Sequence, residues 1–248
     1  SHRVRHAESG RRAGGEVFLA TVSHVKSRSP GTQTGAAQLW HIHADGNLHD
    51  FSLGTDPGGY DASRVSPDGR LLALATTTGE VRVYDRGTGA VVCGPLRVKG
   101  GAWGLLFSPD ASRLIATTSR GQVAVWSLPD GRRLSEPVEL PTMIQPAEMS
   151  ADGRFFATGS TDGFVRLWDA ATGRPLRGMR HGAEINAVAF SPDGRLLASA
   201  GEDRLVRLWN VATRQPLGPP LTGHGGLGTV VAFSPDGKTL ATGSDDET

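Results

Sequence analysis

The chain contains a single cysteine, Cys93, so no disulfide can form within it and nothing calls for an oxidising compartment. Lysine is nearly missing: positions 26, 99 and 238 hold all of it, and arginine supplies the rest of the positive charge. Acids and bases balance to a formal net charge of +1. That excludes the broad basic field by which nucleic-acid and anionic-membrane binders announce themselves. No apolar run approaches the roughly 18 residues of a membrane-spanning helix. The glycine pairs precede strand-like runs without opening helices, so no phosphate cradle is expected. The expectation is a protein without cofactor, metal, nucleic acid or membrane, located in the cytoplasm. The chain opens on Ser1 without methionine and stops inside a repeat, which suggests a piece of a longer protein.

Glycine, by contrast, is plentiful at 34 residues, and it recurs in a pattern. Ser66-Pro67-Asp68-Gly69, Ser108-Pro109-Asp110, Ser150-Ala151-Asp152-Gly153, Ser191-Pro192-Asp193-Gly194 and Ser234-Pro235-Asp236-Gly237 are spaced by 42, 42, 41 and 43 residues. Tyr84-Asp85, Trp126-Ser127, Trp168-Asp169 and Trp209-Asn210 keep the same period. Two phrases locked to one period mean a supersecondary unit copied in tandem, and about forty residues is the length of a four-stranded propeller blade. The fold class is therefore all-β, a propeller of antiparallel four-stranded blades.

Residues 1–15 carry Arg3, Arg5, Arg11 and Arg12 with almost nothing apolar, and read as a basic disordered linker. The propeller then spans 16–248. A degraded blade at 16–56 offers a second strand at Val17–Thr21, a long polar loop from Ser23 to Gly35, a third strand at Ala37–Trp40 and a fourth at Asn47–Leu53, with no visible first strand. Full blades follow at 57–98, 99–140, 141–180 and 181–223. A partial one at 224–248 has first and second strands only. Near-continuous apolar runs such as Leu196-Leu197-Ala198 suit strands covered on both faces. Pro95, Pro137, Pro175 and Pro216 fall on the fourth strand, which marks it as an edge. The partial blades at the two ends could join into one composite blade, with Trp40 beside Asp246, and close a five-blade ring. The alternative is an open arc of a larger propeller.

Ala187 to Asn210, "AVAFSPDGRLLASAGEDRLVRLWN", resembles the WD-repeat β-propeller family, particularly bacterial members rich in the SPDG turn. The resemblance covers about residues 16–248. It implies a buried polar tetrad in each well-formed blade, here His181, Ser199, Asp203 and Trp209. The blade ending at Trp168 keeps Thr158 and Asp162 but has Leu140 in the histidine position. The last repeat keeps His224, Thr242 and Asp246. The blade ending at Trp126 has Val98, Ala116 and Arg120 in these places, and the one ending at Tyr84 has Asp56, Leu74 and Thr78, so both are degenerate. His181, Ser199 and Asp203 are the residue types of a hydrolase triad, yet a repeated, buried constellation is bracing rather than a nucleophile with an oxyanion hole. His41, His43 and His49 near Asp45 and Asp50 read more simply as flanking a turn than as a metal site.

Aligned on their turns, the blades differ in three rows. The fifth residue after the histidine position is Asp61, Trp103, Gln145, Asn186 and Thr229. The third is Gly59, Gly101, Met143, Glu184 and Leu227. The residue before the tetrad aspartate is Thr77, Ser119, Thr161, Glu202 and Asp245. By resemblance these rows border one mouth of the central channel, where partners dock. Trp103 and Met143 would make an apolar spot flanked by Glu184 and Glu202. The expected function is a non-catalytic protein-interaction scaffold, the docking or sensor region of a larger regulatory protein. The alternative is a small-ligand or hydrolytic propeller with its site at the channel.

Overall fold

In the computed structural model residues 3–11, 17–26, 33–42, 48–56 and 59–247 are described, and every named element among them is a β-strand. By packing, the chain divides into two compact units, residues 1–116 with 126–132 and residues 117–125 with 133–248. The first unit opens with a sheet of β1 (Arg3–Arg11), β2 (Val17–Lys26), β3 (Gln33–Ile42) and β4 (Leu48–Asp56), paired in chain order. Next comes β5 (Tyr60–Val65), β6 (Leu71–Thr76), β7 (Glu80–Asp85) and β8 (Val91–Arg97), again in order. Ala37, Leu53, Tyr60, Leu72, Leu74 and Tyr84 form the core of this unit. The sheet of β9 (Ala102–Phe107), β10 (Arg113–Thr118), β11 (Gln122–Ser127) and β12 (Val138–Glu139) has residues in both units.

The second unit continues with β13 (Ile144–Met149), β14 (Phe155–Ser160), β15 (Phe164–Asp169) and β16 (Met179–Arg180). The sheet after it is β17 (Ile185–Phe190), β18 (Leu196–Gly201), β19 (Val206–Asn210) and β20 (Gln215–Pro216). A two-stranded sheet of β21 (Gly228–Phe233) and β22 (Leu240–Ser244) ends the chain. Leu167, Ile185, Val188, Phe190, Leu197 and Trp209 pack between neighbouring sheets of this unit. Second strands such as β14 and β18 are buried from their second residue to their last, which explains their unbroken apolar character. Fourth strands are edges, and three of the four in the repeats after residue 57 are only two residues long. Pro95 lies within β8, Pro137 directly precedes β12, Pro175 bridges to Trp168, and Pro216 pairs with Trp209. Short, proline-bearing edges resist pairing with other chains.

The SPDG turn follows from its residue types. Each serine hydroxyl donates to the aspartate two residues on, at 2.5 to 2.7 Å. The same oxygen accepts the amide five residues on, at 2.9 to 3.0 Å. The aspartate accepts the amide two residues beyond itself. The chain must then pass through the left-handed region, where Gly69, Gly153, Gly194 and Gly237 have φ of 72°, 68°, 68° and 69°. In the second repeat Ala111 takes that conformation, at φ 55°.

Two expectations for the N-terminal part are corrected. Residues 3–11 are not disordered linker but a strand whose main chain is taken up along β2, from Arg3↔His24 to Arg11↔Val17. Ladder hydrogen bonds need no apolar side chains, so a composition reading passes over such a strand. The loop from Ser23 to Gly35 is mostly ladder, since β2 and β3 stay paired out to Lys26↔Gln33. Both edges of β3 are occupied, by β2 and β4. The side chains of Trp40, His41, His43 and His49 lie outside the described residues.

Candidate functional site

His181 sits in the segment entering β17, Ser199 near the middle of β18, Asp203 in the turn after it, and Trp209 on β19. The four are brought into one connected network. The Trp209 indole N–H donates to Ser199 Oγ at 2.8 Å, and Ser199 Oγ lies 2.8 Å from His181 Nδ1. His181 Nε2 is 3.1 Å from Asp203 Oδ1. A carboxylate accepts only, so Nε2 carries the proton and Nδ1 accepts the serine O–H. Each polar group then has a partner with the ring neutral. Burial lowers the His181 pKa, opposed by the Asp203 carboxylate, which agrees with that charge state. Partial burial pushes the Asp203 pKa up, but hydrogen bonds from Arg207 and His181 outweigh it and hold the carboxyl below its usual range.

Arg207, four residues beyond Asp203, reaches Asp203 Oδ2 at 2.6 Å. Arg166 does the same to Asp162 with two contacts, at 3.0 and 2.6 Å. These arginines were not singled out in the sequence, although their fixed four-residue offset from the aspartates was there to find. In the blade without a histidine, Trp168 Nε1–H still donates to Thr158 Oγ1 at 2.9 Å. There the Ser160 hydroxyl donates to Asp162 at 2.6 Å. Ser160 occupies the position of Gly201 in the next repeat. A Cβ at Gly201 would lie 2.9 Å from His181 Nε2 and 2.6 Å from the Glu184 carbonyl oxygen. Histidine in the tetrad therefore goes with glycine at this position, and a serine hydroxyl partners the aspartate where histidine is missing. The last repeat carries both His224 and Ser244: His224 Nε2 stays 2.8 Å from Thr242 Oγ1, but Nδ1 stands 3.7 Å from Asp246. Asp246 instead accepts the amides of Gly225 and Gly226.

The variable rows are also brought together, blade by blade. Main-chain amides of Thr77, Thr161, Glu202 and Asp245 donate to the carbonyls of Gly59, Met143, Glu184 and Leu227. The row of fifth residues coincides with irregular register: the ladder shifts between Tyr60 and Ala62, Ile144 and Ala147, Ile185 and Ala187, and Gly228 and Val230. Asp61, Gln145, Asn186 and Thr229 thus sit where the ladder is irregular, and for Asp61 and Asn186 such a bulge re-aims the side chain relative to the strand. Asp61 points its carboxylate against Gly101, leaving no room for a Cβ there. Asn186 and Glu184 are half-buried, Glu202 is exposed, and Asp245, also exposed, accepts the Leu227 amide at 2.5 Å. Trp103 and Met143 are 40% and 39% exposed.

Residues 147–169, 173–210 and 215–248 match the WD domain, G-beta repeat family. The C-terminal part of the chain, from residue 147 on, is built of WD repeats. Each matched WD repeat retains a tryptophan–hydroxyl or histidine–hydroxyl bond, and the two with degenerate tetrads lie outside the match. Among solved structures, the chain is similar to the computationally designed Ika8 protein, at 21% identity and a TM-score of 0.70. That similarity covers 89% of this chain and 67% of the designed one, and it shows a shared fold. No curated protein sequence matches the chain. WD repeats generally mediate protein–protein interaction, and the propeller architecture fits that use.

In this WD-repeat setting the His181–Ser199–Asp203 group does not form a hydrolytic centre. Ser199 is 0% exposed, and its oxygen is already engaged by both Trp209 and His181. Among the described residues, no group of three or more His, Cys, Asp and Glu side chains is placed to hold a metal ion.

Proposed function

We propose that this WD-repeat chain is a non-catalytic scaffold that binds partner proteins through the variable rows at the end of each sheet where strand one begins and strand two ends. The observation that carries the reading is a division of labour. The repeated polar residues are buried and consumed by one another, whereas the residues that differ between repeats include exposed Trp103, Met143, Glu202 and Asp245. Exposed tryptophan is the side chain most enriched at binding hot spots, and methionine adapts to varied surfaces. Glu184, Glu202 and Asp245 add an acidic character to the last repeats, which favours a partner carrying apolar and basic groups together. Sheets held rigidly by the tetrads and turns present these side chains already ordered, so less entropy is lost on binding. We further propose that the chain serves as the docking or sensor region of a larger regulatory protein.

The test is affinity capture followed by quantitative mass spectrometry, comparing wild type with Trp103→Ala and Met143→Ala. Specific partners should be depleted with the variants while the melting temperature stays unchanged. Equal capture by all three proteins would count against these rows as the docking surface.

A further inference from the structure

A second surface, independent of the variable rows, lies along the outer edges of two consecutive WD repeats in the second unit. A cavity of about 540 Å³ opens between β15–β16 and β19–β20. Its apolar lining comes from Phe164, Met179, Trp209 and prolines 216, 219 and 220, and its polar lining from Arg177, Arg180, Arg207 and Arg214. Arg207 is neutralised by Asp203. Arg177, Arg180 and Arg214 have no ion-pair partner among the described residues, and no carboxylate lines the cavity.

Arg214 is the telling residue. The turn after strand three runs from Asp85 to Gly89, Ser127 to Gly131, Asp169 to Gly173 and Asn210 to Arg214, closed each time by the amide of its last residue. Three of these residues are glycines with φ of 70°, 67° and 65°, whereas Arg214 adopts φ 59° with a full side chain. Ala111, Arg204 and Glu247 share that conformation, so what sets Arg214 apart is the cavity its side chain lines. Space differs as well. A Cβ at Gly131 would lie 2.9 Å from Cys93 Sγ, and one at Gly173 would lie 2.5 Å from Ser135 Oγ. A side chain there would run into the outer part of the preceding repeat, and the cavity beside Gly131 is lined by Asp130 and by no arginine. At Arg214 the corresponding space is the cavity.

We infer that this cavity is a docking site for an extended acidic peptide of a partner protein, whose carboxylates pair with Arg177, Arg180 and Arg214 while an apolar neighbour rests on Trp209 and the prolines. Guanidinium groups without internal acids match carboxylates by charge and by planar two-point geometry. An extended peptide suits the place because the cavity is open and bordered by β16 and β20, the terminal strands of two successive sheets. The cavity volume is in the range of pockets that take several side chains.

Fluorescence anisotropy with the full chain and a labelled Leu-Glu-Glu-Leu-Glu-Glu-Leu peptide tests this, with the Gln-for-Glu peptide as control. The glutamate peptide should bind and the glutamine peptide should bind about tenfold or more weaker. Arg177→Ser with Arg180→Ser, and separately Arg214→Gly, should each lose about tenfold in affinity. Arg214→Gly should at the same time raise the melting temperature, which a purely structural role for this arginine does not predict. Equal binding of the two peptides, unchanged binding by the arginine variants, or a lower melting temperature for Arg214→Gly would overturn the assignment. Full competition by millimolar inorganic phosphate would also overturn it, in favour of a small-anion site. Trp103→Ala should leave peptide binding untouched, so this site and the variable rows can fail separately.

Discussion

Single side chains decide whether a WD repeat here is braced or merely stacked. Ser199 holds two buried partners, so Ser199→Ala leaves the Trp209 N–H and the His181 Nδ1 without partners. The expected cost is roughly 2 to 4 kcal/mol, read as a lower denaturation midpoint at unchanged slope. Ala111 lies where every other complete SPDG turn has glycine. Ala111→Gly should therefore stabilise the chain by about 1 kcal/mol in the same experiment, because left-handed φ is costly for a residue with a Cβ. Protonation gives a third handle. His181 is neutral in the folded chain with its pKa lowered by burial, so the unfolded chain takes up a proton first as the medium is acidified. Its contribution is fully present above pH ~6.5 and is lost as pH falls below that toward its folded value. Asp203 and Asp110 act lower. Their folded pKa values lie below the usual 3.8, with Asp110 brought down to about 2 by the Ser108 hydroxyl and the Ser112 amide. Stability from these two is kept above that ordinary value and disappears as pH drops through the folded ones. Thermal melts from pH 8 to 3 should show a first decline below about 6.5 that is diminished in His181→Gln.

At the scale of strands and turns, much was legible because the repeat is periodic and its turn chemistry is local. The serine, aspartate and glycine of the SPDG phrase state the hydrogen bonds they make, and the buried second strands announce themselves by unbroken apolar runs. The tetrad of His181, Ser199, Asp203 and Trp209 was placed by the resemblance to WD repeats. What escaped notice depends on neighbours across the ladder. Ser160 reads as an ordinary strand-end serine until Asp162 is beside it, and the need for glycine at 201 is visible only when His181 lies over it. Gly201→Ala should accordingly cost about 2 kcal/mol by overpacking, and the reverse-sense change Ser160→Gly should cost about as much, because its hydroxyl gives up the bond to Asp162 and the one from Arg166. Strand β1 was missed for a different reason. Its arginines and polar residues carry no apolar alternation, and its place is set by main-chain pairing with β2, which composition does not encode.

For the molecule as a whole, the account separates framework from display. Copied residues hold each sheet and its turns. Residues that change from copy to copy line the ends of the sheets, and one outer edge carries an arginine-lined cavity. The most direct check is a quantitative comparison of partner capture by Trp103→Ala and Ser199→Ala, each measured below its own melting transition. The account predicts that Trp103→Ala loses partners at unchanged stability, while folded Ser199→Ala retains them despite its lower midpoint. Partners kept by the first variant and lost by the second would contradict it.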